Sequence, residues 1–107
     1  MSPAQPYTLI YDMQVRRHLA RIEPKYHSLI RSGIVASLSF QPERETRNRK
    51  PLSRPSRLGA AWELRCGPEN RFRVFYRVNR EARQVYILAI GLKDRSRLIV
   101  GGEEFEL

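Results

Sequence analysis

Trp62-Glu63-Leu64-Arg65-Cys66-Gly67-Pro68-Glu69-Asn70-Arg71-Phe72-Arg73-Val74-Phe75-Tyr76-Arg77-Val78 is the stretch from which the fold can be read. Two alternating runs flank a Gly-Pro-Glu-Asn turn, the pattern of an antiparallel hairpin. Successive side chains of a strand point to opposite faces. Trp62, Leu64 and Cys66 therefore share one side with Phe72, Val74, Tyr76 and Val78. Glu63 and Arg65 fall on the other with Arg71, Arg73, Arg77 and Phe75. One face is apolar and the other is rich in guanidinium. Arginine stays charged and grips phosphate oxygens in a fixed fork, so a rigid sheet presenting several of them suits a polyanion, above all nucleic acid. Phe75, standing among the arginines, is the candidate for stacking on a base, whereas Trp62, Phe72 and Tyr76 have the phase of core residues.

A chain of 107 residues predicts one domain spanning residues 1–107, and 41% hydrophobic residues is ordinary for a folded one. No stretch approaches the roughly 20 apolar residues that span a bilayer. The opening Met-Ser-Pro-Ala-Gln-Pro has no secretory pattern and Cys66 has no disulfide partner in the chain, so a cytoplasmic location is expected. A single cysteine rules out a cysteine cage, and His18 and His27, nine residues apart on predicted helices, make no ligand pattern; neither metal nor cofactor is expected. The net charge is +9, but Arg47 to Arg97 alone carries fourteen Lys and Arg against four acids, a local +10. By contrast the tail, Gly-Gly-Glu-Glu-Phe-Glu-Leu, is acidic and can fold back over the basic surface or stay solvated.

Upstream, Tyr7 to Tyr11 is a β-prone run closed by Asp12, a good helix N-cap. Val15, Leu19 and Ile22 recur at helical spacing until Glu23-Pro24. Pro24 suits the first turn of a second helix whose stripe is Tyr26, Ile30, Ile34 and Leu38, with Gly33 in its middle. An antiparallel helix pair is the expectation. Gln41 to Gly59 has no apolar period and holds three prolines among Arg47, Arg49, Lys50, Arg54 and Arg57, so it reads as a long basic loop with at most a short edge segment. After a polar turn at Asn79 to Arg83, the run Gln84 to Gly91 is apolar on both faces. Such a strand is central and needs its second face covered by the tail or by a partner. The class is thus α+β, two N-terminal helices on a small, mainly antiparallel, twisted sheet.

Four signatures follow in order on these elements: Arg47-Asn48-Arg49-Lys50-Pro51-Leu52, Trp62-Glu63-Leu64-Arg65, Phe72-Arg73-Val74-Phe75-Tyr76 and Ile87-Leu88-Ala89-Ile90-Gly91. Together they resemble the RelE/ParE superfamily of bacterial toxins from type II toxin–antitoxin systems, over nearly the whole chain. The resemblance implies a toxin neutralised by a tightly bound antitoxin, in a hetero-oligomer. RelE-like members cleave messenger RNA in the ribosomal A site without a metal; ParE-like members act on DNA gyrase.

Metal-independent RNA cleavage needs a group to deprotonate the 2′-hydroxyl, cations around the crowded phosphate and an acid for the leaving oxygen. The chain is rich in the cations. By the resemblance, Arg65 falls on the basic side of the first hairpin strand, Arg73 matches the second-strand arginine and Lys93 follows the last strand, while Glu63 stands where a second basic residue is often found. Glu63 is either a general base or the ion-pair partner of Arg65 and Arg73 across the hairpin. The Tyr or His that such nucleases carry near the C-terminus has no counterpart between Asp94 and Leu107. Arg47, Arg49, Lys50, Arg54, Arg57, Arg71, Arg77, Arg95 and Arg97 are the candidate RNA contacts around these four. The expected reading is a ribosome-dependent mRNA endonuclease; the alternatives are a gyrase inhibitor acting through protein contacts and an inactive nucleic-acid-binding relative.

Overall fold

The computed structural model describes residues 5–54 and 56–105 of the chain. β1 (Thr8–Tyr11) leads into α1 (Gln14–Leu19), then a 3-10 turn at Pro24–Tyr26 and α2 (His27–Leu38). β2 (Arg49–Pro51), β3 (Trp62–Cys66), β4 (Phe72–Asn79), β5 (Gln84–Asp94), β6 (Arg97–Val100) and β7 (Glu103–Glu104) follow. The last six are hydrogen-bonded in chain order into an antiparallel sheet, and β1 joins it parallel to β5. The class is α+β, as its sequence predicts. Among the described residues no helix is long and apolar enough to cross a membrane.

β5 organises the sheet because its length lets it serve three partners. One edge pairs with β4; on the other, β1 takes Gln84 to Ile87 and β6 takes Gly91 to Asp94. Between β1 and β6 the ladder would leave a gap. His18, on α1, fills it: its Nδ1 accepts the Ile90 N–H at 3.3 Å, and the ring is only 4% exposed. A buried backbone donor left without an acceptor costs about 1–3 kcal/mol, so this imidazole completes the edge.

Protonation would turn that acceptor into a donor facing another donor. Burial holds the His18 pKa below its ordinary 6.5, helped by the Arg17 charge and opposed by Asp12. A His whose folded pKa lies below its unfolded value contributes full stability above the unfolded pKa and loses it as pH falls toward the folded one. Urea midpoints should therefore fall as pH drops from about 6.5 to 5, and His18→Gln, which keeps an acceptor, should flatten that part of the curve. Wild-type and variant curves of the same shape would contradict this role.

The apolar face predicted from the hairpin is the main core. Leu64, Phe72, Val74 and Tyr76 of β3 and β4, with Val85, Ile87 and Ile90 of β5, pack against Ile30, Ile34 and Leu38 of α2 and Val15 and Ile22. Tyr76 is fully buried and its hydroxyl donates to the Pro42 carbonyl at 2.6 Å, which anchors the start of the basic loop. At the hairpin turn Gly67 has φ 83°, and a Cβ there would lie 2.4 Å from the Phe72 ring. Only glycine fits that contact. Burial pushes the Cys66 thiol up to about 11, only partly offset by the Arg73 charge, so it is protonated at neutral pH.

The helices differ from expectation. α1 stops at Leu19 after six residues, and Pro24 starts a 3-10 turn, with α2 beginning at His27 and running through Gly33. α1 lies mainly on β5 and α2 on β3, with a groove between them. The second face of β5 is covered as the sequence leads one to expect, in part by the tail. Ala89 joins Phe75, Ala60, Leu98 and Val100 in a second buried cluster, closed by Leu52 and Leu58 of the loop and Phe105 of the tail. The chain thus supplies cover for this part of the face itself.

Candidate RNA-binding face and helix groove

The polar half of the hairpin's second face holds the charged cluster. In register, Arg65 of β3 lies directly opposite Arg73 of β4, which lies opposite Gly91 of β5. Like charges placed so disfavour each other. Glu63 resolves the conflict: its Oε1 accepts Arg73 Nη1 at 2.6 Å and Arg65 Nε at 3.1 Å. The Asn70 carbonyl, in the hairpin turn, accepts Arg73 Nε at 3.0 Å and fixes the plane of that guanidinium. The Glu63 side chain is 7% exposed, against 14% for Arg73 and 37% for Arg65, so the carboxylate lies beneath and the arginines above.

Lys93 shares this face, one alternation beyond Gly91 on β5, and its N–H donates to the Arg71 carbonyl at 2.7 Å. Gly91 keeps the β5 backbone close to β6: a Cβ there would lie 2.9 Å from Leu98 and 3.0 Å from Val100. Arg71 is exposed at the same end of the hairpin. Together these residues line one open end of the sheet with cationic side chains at the surface and one carboxylate below.

The remaining basic residues divide. Arg47 and Arg54 are exposed on the loop, and Lys50, opposite Glu63 in register, has its Nζ 3.6 Å from the Glu45 carboxylate. Arg95 lies in the β5–β6 turn and Arg97 opens β6, 3.7 Å from Asp94. Arg57 lies over the Phe105 ring at 5.3 Å and Arg77 over the Tyr86 ring at 4.1 Å, the latter at the far end of β4. Arg49 points to the opposite face, because it pairs with Leu64; its Nη1 donates to the Ser37 carbonyl and, at 3.0 Å, to the Gln41 carbonyl. It caps the end of α2. Phe75, expected as a stacking platform, is instead 1% exposed in the second cluster. Its phase obeys the strand alternation, but that half of the face is roofed by residues distant in sequence.

A second feature is one that the sequence does not announce. The gap between α1 and α2 is a groove of about 770 Å³, floored by Val15, Ile30, Ile34 and Ile90. Arg16 and Arg31 stand on its rim beside Tyr11, 41% exposed, and Met13, 92% exposed. The available signal is Met13: a large apolar residue just outside the helical stripe, with arginines close by in the chain.

No family model matches the chain, and none of the curated proteins does. Among solved structures it is similar to the toxin–antitoxin complex RelBE2 from Mycobacterium tuberculosis, with a TM-score of 0.67 and 27% sequence identity. The match covers 87% of this chain and 98% of that one.

Proposed function

From its place in the RelE/ParE superfamily of toxins, we infer that the chain is the toxin half of a type II toxin–antitoxin pair and acts in the cytoplasm on messenger RNA in the ribosomal A site. The observation that carries the RNA reading is the pair Arg65 and Arg73, forced side by side across two strands on an open face with Lys93. Guanidiniums in that arrangement suit a phosphodiester whose charge grows as a 2′-oxygen attacks it. Arg73, held on two sides, binds and polarises the phosphate; Arg65 supplies the neighbouring donors; Lys93 neutralises charge at the leaving oxygen. Glu63, 7% exposed and taken up by the two arginines, does not reach the ribose, so the proton transfers fall to groups on the ribosome. A site lacking one positioned acid or base forgoes about 10²- to 10⁴-fold in rate, which makes the reaction slow and dependent on the ribosome.

A specific observation favours a second reading. The Tyr on this face, Tyr86, lies under Arg77 at the far end of β4, away from Arg65 and Arg73, and Glu63 offsets one of their guanidiniums. A ParE-like inhibitor of gyrase needs no acid or base there. Induced expression in a bacterium separates the two: amino-acid incorporation should stop within minutes while DNA synthesis continues. A DNA-damage response with continuing translation would favour gyrase, and growth without arrest would leave only an inactive nucleic-acid-binding relative.

The α1–α2 groove is where an antitoxin segment fits. Its floor is apolar and its rim arginines call for acidic residues, which describes an amphipathic segment of opposite charge. Co-expression of the adjacent gene product should relieve the arrest and yield a stable complex, and Met13→Asp should weaken that complex by tenfold or more while leaving toxicity intact. An undiminished complex in this variant would remove the groove from the interface.

A further inference from the structure

A lone carboxylate beneath two arginines has two opposite meanings. As a fixed negative charge it weakens the attraction of the face for any polyanion. As an anchor it decides where the guanidinium donors point. The geometry separates these meanings. A single oxygen of Glu63 takes Arg73 Nη1 at 2.6 Å and Arg65 Nε at 3.1 Å, and Arg73 Nε is taken by the Asn70 carbonyl. Among the described residues, Arg73 Nη2 and both terminal nitrogens of Arg65 have no protein acceptor. Arg73 is thus held at Nε and Nη1 and Arg65 at Nε, with side chains 14% and 37% exposed over a carboxylate 7% exposed, which leaves their remaining nitrogens for a ligand. Without the anchor, two directly opposed arginines would swing apart, since long side chains of like charge gain both entropy and Coulomb energy by separating.

We propose that Glu63 is the positioning residue of the anion site: it holds Arg65 and Arg73 side by side, donors outward, to receive one phosphodiester group. The cluster of two guanidiniums and one carboxylate has a formal charge of +1, which a single phosphodiester closes to neutrality. A group 7% exposed beneath its partners does not itself meet the ligand, so Glu63 acts through the arginines. This inference rests on the RNA-binding reading of the face but makes a prediction of its own, because its sign is the reverse of simple electrostatics. Removing a negative charge ordinarily strengthens polyanion binding; here it should weaken it.

The test uses the full chain with two substitutions, Glu63→Gln and Glu63→Asp, and two probes: a single-stranded oligoribonucleotide and inorganic polyphosphate. Affinities are measured across a salt series, and circular dichroism at the working temperature checks that each protein is folded. Asp keeps the charge and withdraws the oxygen by one methylene, and it carries the test alone if Gln fails to fold. Both variants should bind each probe at least about fivefold more weakly, and the salt slope should fall by about 0.7, the loss of one single-strand phosphate contact. Tighter binding or a steeper slope for Glu63→Gln would overturn the proposal in favour of a charge brake. Wild-type affinity for Glu63→Asp would overturn it too, since charge without placement would then suffice. A wild type that binds polyphosphate but not RNA refutes the RNA reading alone, and the two variants still decide the role of Glu63. A wild type that binds neither refutes both.

Discussion

Replacing Phe75 by Ala should cost about 3–5 kcal/mol of stability, the range for deleting a fully buried aromatic ring. That is a large share of the roughly 5–15 kcal/mol expected in total for a domain of this size. The effect follows from the second cluster, where Phe75 meets Ala60, Ala89, Leu98 and Val100 under a cover of Leu52, Leu58 and Phe105. The same substitution removes the packing that holds the basic loop and the tail against the sheet. Urea unfolding should show a lower midpoint with little change in slope. A base-stacking Phe75 would behave otherwise, with stability changed by less than about 1 kcal/mol and RNA affinity reduced in the folded protein. That outcome would return the residue to the surface.

Arg73→Ala should reduce transcript cleavage by about 10²- to 10³-fold, as loss of one preorganised donor at a developing oxyanion does. Arg73→Lys should recover little of it, because lysine keeps the charge but not the fork that reaches Glu63, Asn70 and the phosphate together. Arg77→Ala is the control: Arg77 lies over Tyr86 at the far end of the strand, and its loss should leave cleavage near the wild-type rate. Equal losses from Arg73→Ala and Arg77→Ala would mean that only total charge matters. The folded fraction of each variant is checked by its unfolding curve, because removing Arg73 leaves the buried Glu63 carboxylate with Arg65 alone.

Much of the fold and half of the site are legible in the amino-acid sequence. Period-two alternation in Trp62 to Val78 places the hairpin, its apolar face and the arginine row, because side-chain direction in a strand follows from residue parity. The same parity sets Glu63 beside Arg65 and Arg73, though not that both arginines share one of its oxygens. What parity cannot show is which part of a face is roofed. Phe75 is covered by Leu52, Leu58 and Phe105, residues up to 30 positions away that carry no local signal of contact. Arg49 departs from expectation for a related reason: in a segment without period its direction is set by pairing with Leu64, which turns it to the helix side. β6 and β7 are four and two residues long, too short for a pattern to emerge. The α1–α2 groove arises because the helices lean on different strands, a tertiary choice that their apolar stripes do not encode.

Mapping the ends of a messenger RNA after incubation with purified chain, with and without ribosomes programmed on that message, tests the central claim most directly. Cuts should be confined to the codon in the ribosomal A site, absent without ribosomes, and largely absent with Arg73→Ala. A transcript left whole by wild-type protein that still arrests growth would contradict the nuclease reading, and the gyrase reading would then take its place.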